Sequence, residues 1–232
     1  MRSVCAAGLS TIFAFVLLGG FSPRSAWSQT SPVAGAEKLP PDVNPNSLSR
    51  MPRAKRSDFT AEDDLKAFDH IMGMEPRFSA QTGAIGGTLT RIQLPTVAVM
   101  YRDLLAEMRA KSGIDPKYLE LTIIVASRES RNATEWVGHA KNVPPNIVEI
   151  VRDNKSVAGL DQKEAALIRF GREQARDPKV SSKTFADMER LFGRRGTLAI
   201  TLINSYYSAS AMLFRTYDQQ LDPGVPYPFA SK

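Results

Sequence analysis

Three polar residues, Asn132, Glu135 and His139, are spaced so that they could do chemistry together. Glu135 precedes His139 by four residues, and on a helix such neighbours stand roughly 5 to 6 Å apart at Cβ. Asn132 lies seven residues before the histidine, two helical turns back, so a helix would gather all three on one side. A carboxylate next to an imidazole is the composition of an acid/base pair. Imidazole titrates near neutral pH, and a neighbouring carboxylate orients it and tunes its charge. Trp136 and Ala140 then face elsewhere.

A second carboxylate stands upstream. The run from Leu119 to Ala126 is apolar in nearly every direction, the pattern of a buried helix, and Glu120 lies inside it. A buried ionised carboxylate is costly unless it is paired or hydrogen-bonded, so Glu120 requires partners. Arg131, eleven residues on, falls on the same helical stripe, and Arg128 is close by. Either could answer the charge. A plain structural ion pair is therefore as good a reading of Glu120 as a functional role. Asn132 also reads as the N-cap of the helix that carries Glu135 and His139.

The elements that must position these residues are helical. Thr60 begins a first helix with Leu65, Phe68, Ile71 and Met72 at helical spacing, and His70 on it reads as a partly exposed residue with no metal-spaced partner. Residues 77–91, with Gly83, Gly86 and Gly87, read as a loop. No strand precedes it and no P-loop lysine follows, so it is not a phosphate cradle. Pro95 opens a helix through Met100, Leu104, Leu105 and Met108 that stops near Gly113, and Asp115-Pro116 opens the buried one. Pro144-Pro145 ends the His139 helix, Ile147 to Val151 mark a short successor, and Asp161 caps the next. Ser181 or Ser182 begins another that ends at Gly193, and Thr197 to Leu221 reads as a long helix carrying Tyr206 and Tyr207, whose rings read as packing. No stretch alternates with period two. The fold class is all-α, a single helical-bundle domain of about seven or eight helices.

Residues 1–28 read as a secretory signal peptide: Arg2, an apolar run from Val4 to Phe21, and small residues at Ala26 and Ser28 before cleavage, the alternative being an uncleaved membrane anchor, since the run approaches the length of a spanning helix. Residues 29–56 are rich in Pro, Ser and Asn and read as a linker or arm, 57–222 as the helical domain, and 223–232 as an irregular tail. Export to a secreted or periplasmic location follows, with no membrane association once the segment is removed. Cys5, the single cysteine, lies in the cleaved part, which excludes disulfides, zinc-thiolate sites and thiol nucleophiles from the mature chain. The net charge of +6 falls to +4 when Arg2 and Arg24 are lost. Basic residues are interspersed with acids from Asp58 onward, so no nucleic-acid surface is expected, while a small anionic substrate is compatible.

The run Leu119-Glu120-Leu121-Thr122-Ile123-Ile124-Val125-Ala126 followed by Asn132-Ala133-Thr134-Glu135-Trp136-Val137-Gly138-His139 resembles the carboxymuconolactone decarboxylase family of the alkylhydroperoxidase D-like superfamily. The resemblance covers roughly residues 59–222 and rests on the combination of Glu120 with Glu135-x-x-x-His139. The peroxidase branch carries Cys-x-x-Cys ahead of its histidine, where this chain has Asn132 and Glu135, so thiol peroxidase chemistry is disfavoured. The resemblance implies an α-bundle and a homo-oligomer, a trimer or hexamer. It also implies acid/base decarboxylation, or a related proton transfer, on a small carboxylated or lactone-type organic acid.

In that reading His139, Glu135 and Glu120 are catalytic, Arg131 or Arg128 holds a substrate carboxylate, and Asn132 assists binding. No cofactor is required. A second reading, from another class, is an oligomeric metal- or small-ligand-binding protein in which Glu120, Glu135 and His139 ligate a divalent ion.

Overall fold

A computed structural model describes residues 39–74 and 87–230. The signal-peptide segment, the first part of the arm, most of the glycine-rich stretch and the last two residues lie outside the described residues. Among those described there are eight α-helices: α1 (Glu62–Met74), α2 (Gly87–Arg91), α3 (Pro95–Lys111), α4 (Pro116–Glu129), α5 (Ala133–His139), α6 (Pro145–Arg152), α7 (Gln162–Arg176) and α8 (Ser182–Thr216). No strand occurs among them; Asn44 and Ser49 form one isolated bridge. The all-α bundle expected from the hydrophobic periodicity is what the chain forms.

The buried helix is α4. Asp115 caps it, its side chain accepting from the Lys117 N–H, and Pro116 occupies the first turn, where a missing N–H costs nothing. Every residue from Tyr118 to Ser127 is buried, because α7 and α8 pack on it and α5 and α6 close the remaining side. Leu121, Ile124 and Val125 join Trp136, Ile147, Leu167, Ile168 and Ile200 in the main core, while Leu119, Ile123 and Ala126 meet Ile203 and Tyr207 of α8. Close approach of α7 to α4 depends on Gly171, where an added Cβ would stand 2.5 Å from Val125 Cγ1. A separate small core joins α1 to α3 through Phe68, Ile71, Ile92 and Ala98.

Boundaries differ from the sequence reading in three places. Gly87–Arg91, taken as loop, forms the short helix α2. The helices expected on either side of Gly193 run on as α8, broken there by a non-helical glycine (φ 69°, ψ 169°) that changes the direction of the chain at the expected position. The second arm stops at Thr216, short of Leu221, and Leu48, Ser49 and Arg50 cover its end: Ser49 Oγ and Arg50 N donate to Tyr217 O, and Gln220 N donates to Leu48 O. From residue 39 onward the arm is thus docked on the domain, with Val43, Ser47, Ser49 and Ala54 buried. Residues 223–230 are irregular and return Phe229 against Trp136, ring centroids 5.2 Å apart. Among the described residues no helix is long and apolar enough to cross a membrane.

Candidate functional site

Glu120 does not turn to either arginine that the helical stripe offered. The stripe fails because α4 ends at Glu129 and Arg131 sits beyond it with a left-handed backbone (φ 55°), so spacing counted along a continuous helix no longer applies. Arg131 donates to Ala230 O, and Arg128 donates to Arg152 O and lies over the Phe229 ring. Both guanidiniums tie down the tail and α6, and neither is among the partners of Glu120. Asn132 is the N-cap of α5: its Oδ1 accepts from the Glu135 N–H at 3.2 Å and the side chain is buried. Its oxygen serves the cap, while its Nδ2 is buried without a hydrogen-bond partner.

The cation that meets Glu120 comes from α3. Arg109 Nη2 donates to Glu120 Oε1 at 2.5 Å. The other oxygen, Oε2, accepts from His139 Nδ1 at 2.7 Å and from Asn142 Nδ2 at 3.0 Å. On the far side of the imidazole, Nε2 stands 3.5 Å from Glu135 Oε2, the i,i+4 neighbour expected on α5. Glu120, Glu135 and His139 therefore do come together, with the imidazole between the two carboxylates. Sequence reasoning missed Arg109 and Asn142. Asn142 carried a usable signal, three residues past His139 on the 3₁₀ turn Ala140–Asn142. Arg109 carried none, because only the packing of α3 beside α4 brings it near.

An aromatic wall closes one side. Tyr207 of α8 meets the His139 ring edge-on, centroids 5.4 Å apart and planes at 84°, and its hydroxyl accepts from Arg109 Nη1 at 3.5 Å. Tyr206 packs on Tyr207 and on Tyr101 of α3. The cluster still reaches solvent: the side chains of His139, Glu135 and Arg109 are 21%, 18% and 34% exposed, against 10% for Glu120.

Electrostatics assign the protons. Burial disfavours a charged imidazole, but the hydrogen bonds to Glu120 and Glu135, and the charges behind them, outweigh it and raise His139 to about 9. Burial likewise pushes Glu120 up, yet the hydrogen bonds from His139 and Asn142, the imidazolium charge and Arg109 bring it down to about 2. At neutral pH His139 is a cation holding two N–H groups, one fixed on a carboxylate and one at a longer, more open contact. The Tyr207 phenol is raised by burial, with Glu135 adding to the effect and Arg109 opposing it, and stays protonated.

This donor set does not fit a divalent ion as it is held. Both oxygens of Glu120 are taken by cationic or amide donors, and among the described residues no group of three His, Cys, Asp or Glu is placed to hold a metal. What the arrangement can do is keep one imidazolium proton ready beside an aromatic wall, with a solvent-facing carboxylate to replace it. No protein-family model matches the chain, and a search of curated proteins finds no match.

Proposed function

We propose that the protein is an acid/base enzyme acting on a small carboxylated or lactone-type organic acid, by decarboxylation or a related proton transfer, with His139 as the general acid. The observation that carries this reading is the imidazole held between Glu120 at 2.7 Å and Glu135 at 3.5 Å. The resemblance of Glu120 and Glu135-x-x-x-His139 to carboxymuconolactone decarboxylases points the same way.

Loss of carbon dioxide breaks a C–C bond and leaves the electron pair on the substrate as an enolate-like carbanion, which must then take up a proton. Nδ1–H is committed to Glu120, so Nε2–H is the proton that moves. The neutral imidazole that remains keeps Nδ1–H on Glu120, and Glu135 relays a solvent proton back to Nε2. Arg109, anchored by Glu120, and the Tyr207 hydroxyl supply hydrogen-bond donors for the developing oxyanion. No resident metal enters this scheme.

The test is carbon dioxide release from a panel of carboxylated five-membered lactones in deuterated water. Release with one deuteron incorporated per turnover, unchanged after dialysis against EDTA, is expected. Release that requires an added divalent ion would favour the metal reading instead.

We also propose a homo-oligomer. On α3, Leu94 at its N-cap, Val97, Met100 and Leu104 recur every three or four residues with 64%, 40%, 68% and 52% of their surface exposed, and Leu198, Leu202 and Met212 are exposed on α8. Apolar stripes of this kind on a soluble domain support association with a second copy. Light scattering at micromolar concentration should give a mass above that of one chain, and a Leu104→Glu variant should dissociate; a monomeric wild type would count against it. The export expected from the N-terminal sequence remains part of the proposal, with the mature protein beginning near Gln29.

A further inference from the structure

Beyond the His139 cluster, along the same aromatic wall, stands a second cation. Arg91 of α2 lies over two phenol rings, its guanidinium carbon 4.8 Å from the Tyr101 centroid and 5.5 Å from that of Tyr206. Its Nη1 donates to Gly87 O at 3.1 Å and its Nη2 to Ser210 Oγ at 2.7 Å. These acceptors are neutral. The Nε–H is enclosed and has no acceptor, and no carboxylate among the described residues forms an ion pair with this guanidinium. A partly enclosed cation with an unpaired N–H is costly unless something else completes it.

The surroundings are shaped to keep it there. A Cβ at Gly87 would stand 2.6 Å from Arg91 Nη1 and 3.4 Å from Phe214 Cζ, so only glycine leaves the guanidinium its place. The seat is also continuous with the acid/base cluster. Tyr206 packs on Tyr207 with centroids 5.5 Å apart, and Tyr207 meets His139 at 5.4 Å. Burial raises the Tyr206 phenol, the charge of Arg91 opposes this, and that of Glu135 adds to it, so this one ring lies within electrostatic reach of both centres.

We infer that Arg91, between Tyr101 and Tyr206, is the seat for the carboxylate of an organic acid whose flat, conjugated body lies along the half-buried Tyr206 ring toward the His139 cluster. Binding opens the enclosed edge of the guanidinium: as the Tyr206 ring yields, a carboxylate accepts side-on from Nε and Nη2, the two-point geometry arginine favours. The Tyr206 ring then contacts the conjugated part of the ligand. This takes over the role that the sequence reading gave to Arg128 and Arg131. It rests on the proposed function for what happens at the other end of the ligand, but the seat itself binds whether or not His139 transfers a proton.

The probe is trans-cinnamate, with trans-cinnamamide as its neutral counterpart, titrated calorimetrically into the full protein. Cinnamate should bind, and the amide should bind at least tenfold more weakly. Arg91→Gln should lose at least tenfold in cinnamate affinity, Arg91→Lys should fall between it and wild type, and the surface variant Lys183→Gln should bind within about threefold of wild type. Cinnamate and cinnamamide binding alike to wild type would overturn the seat without recourse to any variant. So would no cinnamate binding at 10 mM, equal affinity in Arg91→Gln, or a loss confined to Arg109→Gln. Cinnamate binding that depends on Arg91 in a protein inactive on every lactone acid would leave the seat standing and remove the decarboxylase reading.

Discussion

His139→Asn is expected to lower turnover of the substrate acid by about 10²- to 10⁴-fold, the range a positioned general acid supplies. Asparagine keeps a donor toward Glu120 but has no proton to release near neutral pH. The fold should survive, since Glu120 retains Arg109 and Asn142 as partners and the His139 ring lies outside the main core. The discriminating readout is the pattern of kinetic constants: kcat falls, while KM changes little because the carboxylate seat proposed at Arg91 is left intact. A His139→Asn protein within threefold of wild-type kcat would remove the imidazole from the mechanism. Glu135→Gln should be milder. It impairs only the return of the proton, which small external acids can rescue.

The second large effect is on stability, and it comes from Glu120. Glu120→Gln leaves Arg109 and the imidazolium facing a neutral amide. Removing one partner of a fully buried pair costs about 3–5 kcal/mol; about 2–3 kcal/mol is expected here, since Arg109 is one-third open to solvent and screened. The pH dependence separates this from a packing defect. The folded protein binds the His139 proton more tightly than the unfolded chain does, so that contribution is complete below pH 6.5 and is lost as pH rises through about 9. Glu120 is depressed on folding, so its contribution is complete above pH 4.5 and is lost as pH falls through about 2. The two shifts largely describe one interaction and do not add. Urea unfolding midpoints for wild type should therefore plateau between pH 4.5 and 6.5 and decline on both sides. In Glu120→Gln the acid limb should shrink to the part that Asp153, Glu173 and Asp187, also depressed on folding, supply, and the alkaline limb should move toward pH 6.5. Parallel wild-type and variant curves would mean that the loss is mere packing.

The legible parts of this molecule were those decided by local spacing. The i,i+4 pair Glu135 and His139, the cap at Asn132, the Pro116 start of α4 and the break at Gly193 each follow from one or two turns of backbone, and each stands where the periodicity placed it. That Glu120 needed partners was also legible, because the run Leu119 to Ala126 around it is apolar in nearly every direction. Who the partners are was not. Arg109 and Glu120 belong to different helices, and no periodic rule connects their positions before α3 and α4 pack. Arg131 misled for the converse reason: the spacing was right for a helix that had already ended at Glu129, and its left-handed backbone sends the side chain to the tail. Gly87–Arg91 read as loop because its glycine was taken for flexibility, whereas it makes room for the guanidinium one turn ahead. The tyrosines were weighed as packing, and they do pack. The role proposed for Tyr206 depends on Arg91 and His139 lying at the two ends of one aromatic row, which is a property of the assembled bundle.

The central claim is that His139 stands as a stored proton between Glu120 and Glu135 at neutral pH. It is tested most directly by following the imidazole ¹⁵N resonances through a pH titration, with His139→Asn separating its signals from those of His70. Both ring nitrogens of His139 should carry protons at pH 7, and the resonances should titrate near pH 9. A neutral imidazole at pH 7, titrating at or below pH 6.5, would contradict the account.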